Sequence, residues 1–172
     1  MSVPQPQVLA IIGQGYVGLP LAMAAVDAGW TVIGIDNFAA KVTHINGGSS
    51  PVEDISDNQL QSAISNGTYK ATIDLSAVAG ASVITICVPT PLDDKREPDL
   101  SLLRNAAIGI APYVSNETLV VSESTSYPGT LRKEIAARIN GIQHLYASSP
   151  ERVDPGNTQW CTKNTPRLIG GL

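Results

Sequence analysis

Val8-Leu9-Ala10-Ile11-Ile12-Gly13-Gln14-Gly15-Tyr16-Val17-Gly18 is the stretch on which the fold turns. An apolar run rich in β-branched residues reads as a buried strand, and glycines spaced G-x-G-x-x-G follow it at once. Apolar residues then recur at Val17, Leu19, Leu21, Ala22, Ala24, Ala25 and Ala28, as in a helix packed along one face, and Gly29 stands where such a helix ends. A second apolar run, Thr31 to Ile35, closes on Asp36. Strand, glycine turn, helix, strand and terminal acid together lay out a dinucleotide site. The three glycines differ in what they allow. Gly13 turns the chain tightly, Gly15 leaves room for a pyrophosphate against the backbone, and Gly18 lets helix and strand pack closely. The N–H groups opening the helix then face the phosphates. Asp36 is placed to accept hydrogen bonds from ribose hydroxyls and to repel a 2′-phosphate, which favours NAD over NADP.

Outward from this unit the same alternation continues. Strands are predicted over 7–12, 31–36, 82–88, 118–123 and 143–148, with a further one over 167–170, and helices over 16–28, 38–46, 56–65, 101–111 and 129–139. Apolar strands separated by helices imply an α/β fold of Rossmann type: a doubly wound, mainly parallel sheet with helices on both faces. Two loops interrupt the pattern, a glycine- and serine-rich one over 46–57 and a proline-rich, charged one over 89–98. Both start near the carboxyl ends of predicted elements, where open α/β sheets bind ligands.

Composition narrows the field. At 172 residues the chain suits one domain, and 43% hydrophobic residues with only 5% aromatics imply a core of Ala, Val, Ile and Leu. A net charge of −4 without a basic run argues against nucleic acid. No apolar run approaches the roughly 20 residues that span a bilayer, and Met1 to Gln7 is no secretory signal, so a cytoplasmic location is expected. Of the two cysteines, Cys87 reads as a core residue and Cys161 as an exposed one. Asp93-Asp94 lacks nearby His or Cys, and no metal site is expected.

Three further motifs sit at predicted strand tips. Val88-Pro89-Thr90-Pro91 is a rigid turn whose Thr90 hydroxyl either touches the coenzyme or only shapes the loop. Glu123-Ser124-Thr125 ends a strand before Pro128-Gly129-Thr130 opens a helix that Ser126 is expected to cap, leaving Thr125 near reacting groups. Ser149-Pro150-Glu151-Arg152-Val153-Asp154-Pro155-Gly156 carries an acid able to hold a water, and Arg152, which either pairs with Glu151 or Asp154 or binds an anionic substrate.

Taken together, GQGYVGLPLA at 13–22, Asp36, INGGSSPVED at 45–54, VPTPLDDKREPDLS at 88–101, ESTSYPGT at 123–130 and SPERVDPGN at 149–157 resemble the cofactor-binding domain of the UDP-glucose/GDP-mannose dehydrogenase family. The loop LDDKREPDLS and the SPERVDPGN form look most like the members that act on UDP-N-acetylhexosamines. The resemblance implies oxidation of a nucleotide sugar's C6 alcohol to a carboxylate with two NAD⁺, through an aldehyde and an enzyme thioester. It implies coenzyme contacts at the backbone of Tyr16 and Val17 and at Asp36, Lys41, Thr90 and Thr125, and the turn glycines Gly13, Gly15 and Gly18 with Val88 and Pro89 are expected to complete the coenzyme site. Glu151 would work with Thr125 around a water near C6, and Glu151, Arg152 and Val153 would line the sugar-nucleotide pocket. The family's catalytic cysteine, with its lysine and asparagine partners, matches nothing here. Residues 1–172 are therefore expected to be a single NAD-binding Rossmann domain of a longer enzyme, inactive alone, whose full-length form is a homodimer or larger. Two other readings stand beside this one: an NAD-dependent dehydrogenase of hydroxyacid or 6-phosphogluconate type, and a non-catalytic NAD-sensing module.

Overall fold

Val8–Ile12 (β1) lies mid-sheet because its side chains are apolar on both faces. Leu9 and Ile11 enter one core cluster, Ala10 and Ile12 the other. The structure is a computed structural model that describes residues 7–139, 145–152, 159–160, 162 and 164–172. Around β1 are Thr31–Ile35 (β2), Tyr69–Thr72 (β3), Val83–Ile86 (β4), Leu119–Ser122 (β5), Leu145–Ser148 (β6) and Gly170–Gly171 (β7). They form one sheet in the order β3-β2-β1-β4-β5-β6-β7. All neighbours are parallel except β6 and β7, which run antiparallel with Ala147 opposite Gly171 and Ser148 opposite Gly170. The order reverses between β1 and β4, which opens a crevice beyond their carboxyl ends.

Helices cover both faces. Gly18–Asp27 (α1), Ala39–Asn46 (α2) and Asp57–Ser65 (α3) bury Leu19, Met23, Val42, Ile45 and Leu60 in one cluster. Ser101–Ile110 (α4) buries Leu103, Ala106, Ala107 and Ile110 in the other, at helical spacing. α1 ends as expected: Gly29 has φ +90°, and the Ala28, Gly29 and Trp30 N–H groups bond the last carbonyls. Ser56 caps α3 by accepting the Gln59 N–H at 3.2 Å. Among the described residues no helix is long and apolar enough to cross a membrane.

The structure departs from the sequence reading in four places. β3 lies where the apolar pattern predicts no strand; its segment Tyr-Lys-Ala-Thr offers only two buried positions, Tyr69 and Ala71. The helix expected over 129–139 is a π-helical stretch, Leu131–Ala136. Ser126 does not cap it: Thr130 holds the cap position, no side chain caps the helix, and the Thr130 hydroxyl instead donates to the Tyr127 carbonyl at 2.8 Å. The strand expected over 167–170 shrinks to β7 at the sheet's edge and reverses direction. Residues 143 and 144 of another predicted strand fall outside the described residues.

Candidate functional site

The glycine turn has the geometry its sequence implies. Gly13 adopts φ +95°, and a side chain there would run into the Cys87 carbonyl at the end of β4. A Cβ on Gly18 would stand 1.7 Å from the Gly13 oxygen, so α1 packs against the turn only because that atom is missing. Gly15 differs: a Cβ there would meet nothing within 4 Å. The space above Gly15 is open, and no side chain caps the start of α1. That combination suits an anionic group laid against backbone N–H groups.

Asp36 follows β2 and is buried. It accepts the Gln14 N–H at 2.9 Å, the Phe38 N–H at 3.1 Å and the Lys41 ammonium at 2.8 Å. Burial alone would raise its carboxyl. The hydrogen bonds from Lys41, Gln14 and Phe38, together with the Lys41 charge, outweigh burial and hold it below the usual carboxylate value. A carboxylate offers about four acceptor positions; three are taken, which leaves capacity for a ribose hydroxyl. Gln14 anchors this corner from beneath. Fully buried, it donates through Nε2 to the Ile11 carbonyl at 2.9 Å and accepts the Tyr69 hydroxyl at 2.7 Å. Gly34 makes room for that contact, since a Cβ there would stand 2.4 Å from the Tyr69 oxygen.

The cleft over this turn has a volume of about 380 Å³. Gly13, Gly15, Tyr16, Val17, Asp36 and Lys41 line one end, and Cys87, Val88, Pro89, Thr90, Glu123, Ser124, Thr125 and Glu151 the other. Of the residues singled out from sequence, Gly18 lies behind the lining, packed against Gly13. Arg152 is exposed, and its backbone N–H donates to its neighbour Glu151. Val153 and Asp154 lie outside the described residues.

Tight bonding between strand ends shapes the second half of the cleft. The Thr90 hydroxyl donates to the Thr125 carbonyl at 2.7 Å, so its proton is committed and its oxygen can only accept. The Ser124 hydroxyl accepts the Val88 N–H at 3.0 Å and donates to the Val88 carbonyl at 2.8 Å, tying the β4 and β5 loops together. Within the 89–98 loop, Asp93 accepts the Lys95 and Glu97 N–H groups, both at 2.8 Å, and Leu92 bridges Pro98.

The sequence reading missed Arg167. One guanidinium nitrogen lies 2.7 Å from each oxygen of Glu123, and another pairs with Glu151. Both carboxylates are largely buried. Burial raises the Glu123 carboxyl, and the Arg167 hydrogen bonds and charge only partly offset that rise. Burial likewise raises the Cys87 thiol, reinforced by Glu123 and Glu151 and opposed by Arg167, so Cys87 stays protonated and is no thiolate nucleophile. β7 places Arg167 here. Because β7 runs against β6, the residues just before Gly170 are carried toward the carboxyl end of β6, where Glu151 follows. An apolar strand pattern carries no signal for that reversal.

Comparison with known proteins agrees with this geometry. The family model described as "UDP-glucose/GDP-mannose dehydrogenase family, NAD binding domain" matches residues 7–172. The chain is 34% identical over 171 residues to a UDP-N-acetyl-D-mannosamine dehydrogenase of Pyrococcus horikoshii, covering 95% of this chain and 41% of the relative. It is 32% identical over 172 residues to a UDP-N-acetyl-D-glucosamine 6-dehydrogenase of Salmonella typhi, covering 95% and 39%. A solved structure of the Pyrococcus horikoshii UDP-D-ManNAc dehydrogenase superposes with a TM-score of 0.86 at 34% identity, over 96% of this chain and 41% of that one. The chain thus spans about two fifths of the length of these relatives.

Proposed function

From the premise that this chain belongs to the UDP-glucose/GDP-mannose dehydrogenase family, as its NAD-binding domain, we propose that it is the coenzyme half of a UDP-N-acetylhexosamine 6-dehydrogenase. The observation that carries the reading is the open cradle above Gly15, flanked by an uncapped helix start and by Asp36. On this reading the pyrophosphate lies against Gly15, Tyr16 and Val17. Asp36 holds the adenosine ribose, and Lys41 neutralises the acid and borders the adenosine side. Val88, Pro89 and Thr90 border the other half of the coenzyme.

Bound NAD⁺ supplies the hydride acceptor for oxidation of the sugar's C6 alcohol. Thr125 and Glu151 line the same cleft, and we assign them to the reacting end. There the Glu151 carboxylate accepts a hydrogen bond from a water or a C6 hydroxyl, and the Thr125 hydroxyl fixes the direction of that contact. Arg152 and Val153 would face the sugar nucleotide. The names of the two relatives support the choice of N-acetylhexosamine. Because the relatives are longer, we also propose that the working enzyme carries further domains that complete the sugar site and supply a thiol, that it is cytoplasmic, and that it assembles as a dimer or larger.

Two measurements test this. Isothermal titration of the chain should show NAD⁺ binding more tightly than NADP⁺. The complete gene product should convert UDP-GlcNAc or UDP-ManNAc to the uronate with two NAD⁺ consumed per sugar, and turnover of a hydroxyacid instead would defeat the substrate assignment.

A further inference from the structure

Beneath the glycine turn the core is polar where an apolar pair would fill the space at less cost. Gln14 is fully buried, and the residues it bonds, Ile11 and Tyr69, belong to an apolar cluster. A buried amide and phenol are tolerated only when their polar groups are bonded. The Gln14 Nε2 donates to the Ile11 carbonyl at 2.9 Å and to the Gly13 carbonyl at 3.2 Å, which leaves Oε1 to accept the Tyr69 hydroxyl at 2.7 Å. Mid-strand Gly34 is part of the arrangement, since a Cβ there would stand 2.4 Å from the Tyr69 oxygen and 2.6 Å from the Gln14 oxygen. Burial pushes the Tyr69 phenol up and the Asp36 charge adds to that rise, so the hydroxyl stays a donor. The backbone N–H of the same Gln14 donates to the Asp36 Oδ2 at 2.9 Å, and Lys41 meets that oxygen at 2.8 Å. Among the described residues Oδ1 takes one donor, the Phe38 N–H, and keeps room for a hydroxyl. β3, which carries Tyr69, is fixed from its other side by Asn46 of α2, which donates to the Ala71 carbonyl at 2.9 Å and accepts the Ala71 N–H at 3.0 Å. α2 also carries Lys41.

Resting on the coenzyme reading above, we infer that Tyr69 and Gln14 are positioning residues for coenzyme selectivity: from behind the cleft they hold the Asp36 carboxylate at the angle that accepts a ribose hydroxyl and repels a 2′-phosphate. Neither side chain lines the cleft. Their influence runs through one residue, Gln14, whose side chain is fixed by β3 and whose backbone N–H fixes Asp36. A hydrogen bond weakens with misalignment as well as with distance, so a small rotation of the carboxylate lowers its grip on the hydroxyl. Loss of the Tyr69 hydroxyl strands the Gln14 oxygen in an apolar core. The amide then turns toward another donor, and the Gly13–Gln14 peptide moves with it. Selectivity at the coenzyme's adenosine end is thereby set partly by the edge strand of the sheet.

The test is calorimetric titration of the chain with NAD⁺ and NADP⁺. Tyr69→Phe removes one hydroxyl and should weaken NAD⁺ by roughly three- to ten-fold, the scale of one hydrogen bond, while leaving NADP⁺ nearly unchanged. The double variant Gln14→Leu, Tyr69→Phe replaces both partners by apolar side chains, which keeps the fold where the single change leaves a buried oxygen unbonded. It should show the same fall in the ratio of NAD⁺ to NADP⁺ affinity with a melting temperature close to wild type. In an Asp36→Ala background Tyr69→Phe should have no further effect on that ratio, because the residue through which it acts is gone. If wild-type chain prefers NAD⁺ and the double variant keeps the wild-type ratio, the inference is overturned and the coenzyme reading stands. Parallel weakening of both coenzymes would make Tyr69 merely structural, and a full effect that persists without Asp36 would place its action elsewhere; either result overturns the inference. If folded wild-type chain binds neither coenzyme, the coenzyme reading itself fails.

Discussion

Asp36 holds the local fold and, on the function proposed here, also binds the coenzyme ribose, so its removal has two separable results. Losing it removes the acceptor for the Gln14 and Phe38 N–H groups and releases Lys41. Asp36→Ala should weaken NAD⁺ by roughly 1–3 kcal/mol, the scale of a lost charge-assisted hydrogen bond. NADP⁺ should lose less or gain, because the repelling carboxylate is gone and the freed Lys41 can meet a 2′-phosphate. Titration with both coenzymes reads this directly, and an unchanged ratio would remove Asp36 as the discriminator. The second result is a dependence on pH. The Asp36 carboxyl lies below its ordinary value in the folded state, so its stabilisation is complete above the unfolded value of about 3.9 and is lost as pH falls through the lower, folded value. Melting curves of wild type and Asp36→Asn should differ most near neutral pH and draw together below about pH 3.9.

At the level of elements, the glycines separate packing from binding. Gly18→Ala sets a methyl 1.7 Å from the Gly13 oxygen, and because that neighbour is backbone, α1 has to move away from β1. A substantial loss of thermal stability is expected, visible by circular dichroism. Gly15→Val projects into open space; it should leave the melting temperature nearly unchanged and abolish NAD⁺ binding by filling the cradle. If both variants behaved alike, the division between packing and binding would be wrong. This first βαβ unit is legible in the sequence because every step of it is local: an apolar run, three glycines, a helical stripe and an acid. The tips at Thr90, Thr125 and Glu151 are legible for the same reason, since each follows its own apolar strand. What escapes depends on contacts distant in sequence. β3 is an edge strand whose Tyr69 is held by a hydrogen bond to Gln14, 55 positions away. Glu123 stands in a strand-tip motif, but its importance comes from Arg167, 44 positions later and delivered by a reversed two-residue strand. The π-helical turn at Leu131–Ala136 likewise looks, in sequence, like any amphipathic helix.

Over the whole molecule, the sheet is finished unequally at its two edges. At the β3 edge Lys70 is exposed between the buried Tyr69 and Ala71, a charged guard against strand addition. At the other edge β7 is two glycines, with no side chains to block pairing. The apolar residues about it are uncovered: Leu168 is 76% exposed, Ile169 73% and Leu172 51%, with Leu145 on the neighbouring β6 at 59%. An unguarded edge beside exposed aliphatic side chains is an association surface. The chain expressed by itself should therefore self-associate reversibly as its concentration rises. The double variant Leu168→Lys, Ile169→Lys should shift it toward monomer in sedimentation velocity. Since neither residue lines the cleft, NAD⁺ affinity should not change. A chain that stays monomeric at high concentration would show that the edge is too short to pair. Loss of NAD⁺ affinity in the double variant would show that the placing of β7 and the seating of Arg167 against Glu123 and Glu151 are one mechanical unit.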